Sequence, residues 1–134
     1  MTLMDQALVH NSATHEPTEN NERLEFLGDA VLEIVVSEWL YKRYPKARPG
    51  GLTALRTSYV CTDNLAACAR RLKLADRLVV GRSIRGEGGL ERPKILADAV
   101  EAQIGAIYLT EGLAAARQWV LVHILLWPTV LNYR

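Results

Sequence analysis

The sequence is poor in the features that mark secreted, disulfide-stapled or membrane proteins. Cysteine occurs twice, at Cys61 and Cys68, with no Cys-x-x-Cys pair. In a segment of helical pattern these two read as small core residues rather than a disulfide, which fits a reducing compartment. No basic-then-apolar leader opens the chain and no apolar run is long enough to cross a bilayer. The expected setting is therefore soluble, intracellular and cytoplasmic, with no membrane partner. Repeats and low-complexity tracts are missing as well. Of the three histidines, none stands three residues after a glutamate, which excludes the Glu-x-x-His pairs of a di-iron carboxylate bundle. His10 and His15, five residues apart, do not share a helix face; packing or capping is the expected use of both, and His123 reads as core or surface. Net charge is only +1, so the overall balance argues neither for nor against a nucleic-acid partner.

What is present begins with size. The 134 residues, 49% hydrophobic, suffice for one domain with a real core and are too few for two. Charge is unevenly spread: Glu16 to Glu33 holds six acids and one base, Arg23, whereas Arg70 to Lys94 holds eight bases against Asp76, Glu87 and Glu91. An acidic centre beside a basic stretch suits an anionic polymer held at its flanks while a metal works on it. A solvated basic face would leave the same trace in the sequence.

Two stretches carry the chemistry. From Asn21 to about Tyr44, Leu24, Leu27, Val31, Ile34, Val35 and Leu40 recur at three- and four-residue steps, the spacing of a helix. Glu22, Glu25 and Asp29 fall at i, i+3 and i+7, on one arc about 60° wide. Stacked carboxylates repel one another, so a helix built only for stability would avoid them. Glu22 can be explained as an acid at a helix N-terminus, after an Asn20 or Asn21 cap. Asp29, two turns further in, cannot. Gly28 costs about 1 kcal/mol in a helix interior, which implies close approach of another element. The second stretch, Ile95 to Tyr108, is apolar in helical pattern, and its acids are Asp98 and Glu101, again one turn apart. Acids inside an apolar helix are paired or bind metal. Two such helices can converge as an all-oxygen cage for a hard divalent cation.

The remaining segments read as follows. Met1 to about Asn11 has helical spacing, and Thr14 to Asn21 is a polar loop around Pro17. Tyr44 to Gly51, with two prolines and two glycines, breaks the chain between helices. Leu52–Val60 and Asp63–Leu72 are expected as tandem helices, the second opening at Thr62-Asp63. Leu74–Val80 is a helical turn or a buried connection. Gly81 to Pro93, rich in Gly and Arg, reads as a mobile basic loop, and Gly86-Glu87-Gly88-Gly89 has neither the spacing nor the strand of a phosphate-binding loop. Pro93 suits the first turn of the next helix, Gly105 and Ala106 permit tight packing, and Gly112 ends that helix. A last helix, Leu113 to Trp127, is expected to stop at Pro128. The fold class is all-α, with six to seven helices. Phe26, the only phenylalanine, reads on its own as ordinary core.

NERLEFLGDAVL, followed some seventy residues on by LADAVEAQIGAIYL, resembles the two signature helices of the ribonuclease III family. The similarity includes Ala7-Leu8-Val9-His10-Asn11-Ser12 and Leu52-Thr53-Ala54-Leu55-Arg56, and runs from about Leu3 to Val122. Pro49-Gly50 and Pro93-Lys94 resemble Dicer-type members more than bacterial ones, which typically carry an acid in place of Pro49. The resemblance implies a single endonuclease domain over residues 1–134, cleaving double-stranded RNA to 5′-phosphate and 3′-hydroxyl ends, with one site in each subunit of a homodimer. It implies that Glu25, Asp98 and Glu101 coordinate Mg²⁺, or Mn²⁺ in its place, and that Asp29, with Glu101, completes the catalytic site and positions water at the metal. Glu22 and Lys94 become auxiliary groups, Lys94 neutralising the acids or touching the scissile phosphate, and Phe26 enters a socket on the second subunit. Arg56 and Ser58 lie near the dimer and RNA surface. Bacterial members continue into a double-stranded-RNA-binding domain that is not present before Arg134, so weak RNA binding, or binding through a partner protein, is expected. A catalytically silent RNA- or ribosome-binding member is the alternative, but such members usually lose acids and all four principal ones are here.

Overall fold

A computed structural model of the chain describes residues 1–86 and 88–126. The described residues are all-α, as expected, with seven helices: α1 (Leu3–Gln6), α2 (Glu22–Arg43), α3 (Pro49–Val60), α4 (Thr62–Arg71), α5 (Arg82–Gly86), α6 (Pro93–Glu111) and α7 (Leu113–Val120). Single 3-10 turns occur at Leu74–Asp76 and Gly89–Glu91, and α7 runs on into a π-helical turn, Leu121–Leu125. No described helix is long and apolar enough to cross a membrane.

The molecule is assembled around α6. Between Ile95 and Ile107 nearly every side chain of this helix is buried, because its residues are apolar or small on all faces, the pattern of a central helix. Helices α2, α4 and α7 pack around it. Leu32 and Leu40 of α2, Leu65 of α4, Leu96 and Ile104 of α6, and Ile124 are fully buried. Each such side chain contributes about 1.5–3 kcal/mol relative to an exposed position.

The α2–α6 crossing is set by two glycines facing each other. A Cβ on Gly28 would overlap the backbone carbonyl of Glu101 and come within 3.0 Å of the Gly105 nitrogen; one on Gly105 would overlap the Leu24 carbonyl. Only glycine at both positions lets the two backbones touch. Gly112 serves a different purpose. At φ +96° it turns the chain from α6 into α7 through a conformation that L side chains rarely adopt.

The start of α2 is held by two buried asparagines. Asn20 Oδ1 accepts from the Glu22 N–H at 3.1 Å, while its Nδ2 donates to the Thr14 carbonyl. The Asn21 amide instead donates to the Ala7 carbonyl at 3.2 Å. Pro93 occupies the first turn of α6, as its fixed φ favours.

Several boundaries differ from the sequence expectation. Helix α1 stops at Gln6 instead of about Asn11, because the next backbone groups are used elsewhere. The His10 N–H donates to the Val79 carbonyl, the Val79 N–H to the Leu8 carbonyl, and Val9 and Val79 form an isolated parallel bridge. Pro49-Gly50-Gly51 belongs to the first turn of α3 rather than to a loop. The Gly81–Pro93 segment is not a loop throughout: it forms α5 and a 3-10 turn, with Gly89 packed on Ile84 and the Gly81 N–H donating to Ser12 Oγ at 2.8 Å. Glu87, and the expected helix end at Trp127-Pro128, lie outside the described residues.

Candidate metal centre between two helices

The close crossing determines where the acids meet. Glu25 and Asp29 flank Gly28 on α2, and Asp98 and Glu101 lie on the facing turns of α6, so bringing the backbones together brings the carboxylates together. One carboxylate oxygen each from Glu25, Asp98 and Glu101 lies within 4.8 Å of the others. Octahedral Mg²⁺, with oxygens at about 2.0–2.1 Å, needs ligand atoms about 3–4 Å apart, and three hard oxygen donors are the set it selects. The donor set therefore fits such an ion after a small closure.

The carboxyls also pair across the crossing. Glu25 neighbours Asp98 and Glu101 neighbours Asp29, each pair joining one acid of α2 to one of α6. The electrostatic consequence is large. Burial first, then the neighbouring Asp98, pushes the Glu25 carboxyl up to about 7. Burial and the contact with Asp29 push Glu101 up to about 8. Two acids held this far above the ordinary carboxylate range mark a site with more negative charge than its protein cations balance.

Lys94 supplies part of the balance. Its ammonium lies 2.9 and 3.0 Å from the two oxygens of Asp98 and 3.8 Å from Glu25 Oε1. The contact with Asp98 raises the lysine above its ordinary value. Glu22, at the first turn of α2, is exposed and accepts a 3.4 Å bond from Asn20 Nδ2. It borders the same open cavity, of about 530 Å³, which Glu25, Asp29, Lys94, Asp98 and Glu101 line. The six residues expected to form the site, Glu22, Glu25, Asp29, Lys94, Asp98 and Glu101, thus come to one place.

One part of the lining has no counterpart in the sequence reading: Val60, Cys61, Thr62 and Leu65, from the junction of α3 and α4, also border the cavity. The sequence offered only the helix start near Thr62 as a signal. Phe26 is on the cavity rim and 82% exposed, so its core alternative is excluded. His10 is no ligand of the described acid group. Its Nδ1 accepts from the Ser12 N–H at 3.1 Å and lies 2.8 Å from Ser12 Oγ, so it organises a turn. His15 is exposed. His123 stacks at 4.7 Å on Trp119, and its carbonyl accepts from Arg71. Arg56 spends its guanidinium tying α3 to α2, through Glu33 at 3.2 Å and Ser37 at 2.9 Å.

Known proteins with this pattern are numerous. Ribonuclease 3 of Desulforamulus reducens is 52% identical over 124 residues, which are 90% of this chain and 50% of that protein. Ribonuclease 3 of Bacillus velezensis is 44% identical over 126 residues, 91% of this chain and 51% of that protein. The chain thus spans about half the length of the curated relatives it matches. Among solved structures, the nuclease domain of ribonuclease III from Campylobacter jejuni superposes with a TM-score of 0.85 at 42% identity, covering 90% of this chain and 82% of that one. The Ribonuclease-III-like family model matches residues 1–126. With sequence and fold in agreement over nearly its whole length, the chain belongs to the ribonuclease-III-like family.

Proposed function

We propose that this domain is a metal-dependent endonuclease that hydrolyses phosphodiester bonds of double-stranded RNA, leaving 5′-phosphate and 3′-hydroxyl ends. The observation that carries the proposal is the meeting of Glu25 and Asp29 with Asp98 and Glu101 across the glycine crossing, in a chain whose relatives are ribonucleases. A phosphodiester resists hydrolysis because its charge repels nucleophiles and its leaving alkoxide is poor. A divalent cation, Mg²⁺ with Mn²⁺ able to replace it, supplies an acidified water and a counter-charge for the leaving oxygen. Glu25, Asp98 and Glu101 would hold it, since one carboxylate oxygen of each lies within 4.8 Å of the others.

Asp29 then has a distinct role. Its carboxyl neighbours Glu101 and is itself exposed, and in this proposal it completes the site by positioning the water at the metal. Glu22 adds negative charge at the cavity edge. The helical frame fixes these groups rigidly, which a site of this kind requires. Duplex RNA is read by shape and backbone, so weak sequence preference follows.

The protein works as a homodimer in this proposal. Phe26, Ala30, Ile34 and Tyr41 are exposed along one face of α2, and Phe26 stands beside a cavity of about 640 Å³ lined by Leu3, Leu24, Leu27 and Leu109. A two-fold axis would let each protomer's Phe26 enter the other's cavity. The Campylobacter jejuni nuclease domain is described as having a region involved in dimer formation. A cytoplasmic setting, and help in RNA binding from a partner protein, belong to the same proposal.

Labelled duplex RNA incubated with Mg²⁺, with and without chelator, tests the activity. Chelator-sensitive cleavage, abolished by Asp29→Asn and Glu101→Gln in variants that still fold, is the expected result. RNA binding without cleavage by the wild type would establish the silent module instead.

A further inference from the structure

Lys94 is oddly placed for a lysine. It is the second residue of α6, where the helix N-terminus disfavours positive charge. Its side chain is 74% exposed, yet the ammonium is drawn back one turn onto Asp98, whose side chain is only 15% exposed, and toward Glu25. These are two of the three carboxylates whose oxygens converge. The ammonium thus grips both Asp98 oxygens, the atoms a divalent ion would need. An ion bonded to Asp98 and Glu25 at about 2.1 Å would leave two like charges a few ångströms apart.

We propose that Lys94 is a resident counter-cation of the metal-free site, competing with the divalent ion for Asp98 and Glu25, so that loading requires its ammonium to swing out. The inference rests on the metal-binding proposal above. The exposure of the stem allows the swing without disturbing the core. Two consequences follow: the lysine stabilises the empty cluster, and it raises the Mg²⁺ or Mn²⁺ concentration at which the site fills. A member with a neutral residue here would load at lower metal. The raised pKa of the ammonium, caused first by Asp98, agrees with a charge held by that contact.

Mn²⁺ titration followed by the electron paramagnetic resonance signal of free Mn²⁺ tests this on the whole chain without RNA. Lys94→Met is expected to bind Mn²⁺ on the order of tenfold more tightly than wild type, within the usual range of coupling between two sites, and Lys94→Arg to stay near wild type. Lys94→Met should also melt lower than wild type in chelator and gain more from added metal. Should the variant fold poorly, Lys ¹³Cε resonances of the wild type supply the second measurement: Mg²⁺ should move the Lys94 signal to the free-lysine position. Equal Mn²⁺ affinity in wild type and Lys94→Met, or a Lys94 signal unmoved by saturating Mg²⁺, overturns the competition while leaving the metal site standing. No Mn²⁺ bound by either protein overturns both.

Discussion

Replacing Gly28 with alanine should damage this protein far more than its helix position suggests. In an open helix the change stabilises by about 1 kcal/mol. Here the new methyl would overlap the Glu101 carbonyl and crowd the Gly105 nitrogen. Both are backbone atoms, so no side chain can rotate aside; α2 and α6 must separate. Overpacking of this sort costs about 1–3 kcal/mol or more, and the rigid neighbour puts it at the upper end. The net loss is about 2 kcal/mol, which for a domain of this size lowers Tm by about 7 °C. The same separation spreads Glu25 and Asp29 from Asp98 and Glu101. A shift on the order of 1 Å at a catalytic centre can cost about a hundredfold in rate. Thermal denaturation and Mn²⁺ titration of Gly28→Ala, beside Gly51→Ala as control, measure both effects. Gly51 has nothing within 4 Å of the added Cβ, so its variant should be neutral or slightly stabilised. A Gly28→Ala protein as stable as wild type, with unchanged metal affinity, would refute the crossing as the device that assembles the site.

Other outcomes follow from the same geometry. In chelator, stability should fall as pH rises from about 4.5 to 8: Glu25 and Glu101 keep their protons to about 7 and 8 in the folded chain but lose them near 4.5 when unfolded, so folding takes up protons in that window. The slope is worth a few kcal/mol overall, scaled from about 1.4 kcal/mol per unit and reduced by partial exposure; saturating Mg²⁺ should flatten it, and melting curves at several pH values with and without Mg²⁺ check both. Glu101→Gln should raise the metal-free Tm at pH 8 by removing that penalty while abolishing cleavage, a split that a purely structural glutamate would not show. Phe26→Ala should shift the protein toward monomer on a sizing column with no loss of Tm for the monomer, because the ring is 82% exposed.

How much of this was legible in the sequence depends on the range of the interaction. Glu22, Glu25 and Asp29 declare their common face through spacing alone, as do Asp98 and Glu101, and Gly28 announces a close neighbour through its cost in a helix. That the neighbour is Gly105, far along the chain, is a tertiary fact. The start of α3 at Pro49 was readable in principle, since proline suits a first turn, but the paired glycines outweighed it. The early end of α1 was not readable. It follows from hydrogen bonds between Leu8–His10 and Val79, which no local pattern encodes. The ordering of Gly81–Pro93 likewise depends on Ser12 receiving the Gly81 N–H and on Ile84 covering Gly89.

Anomalous diffraction from crystals soaked in Mn²⁺ tests the central claim most directly. A manganese peak bonded to Glu25, Asp98 and Glu101, with Lys94 turned away, is the expected result. Manganese found only elsewhere, with these carboxylates still paired to each other and to Lys94, would contradict it.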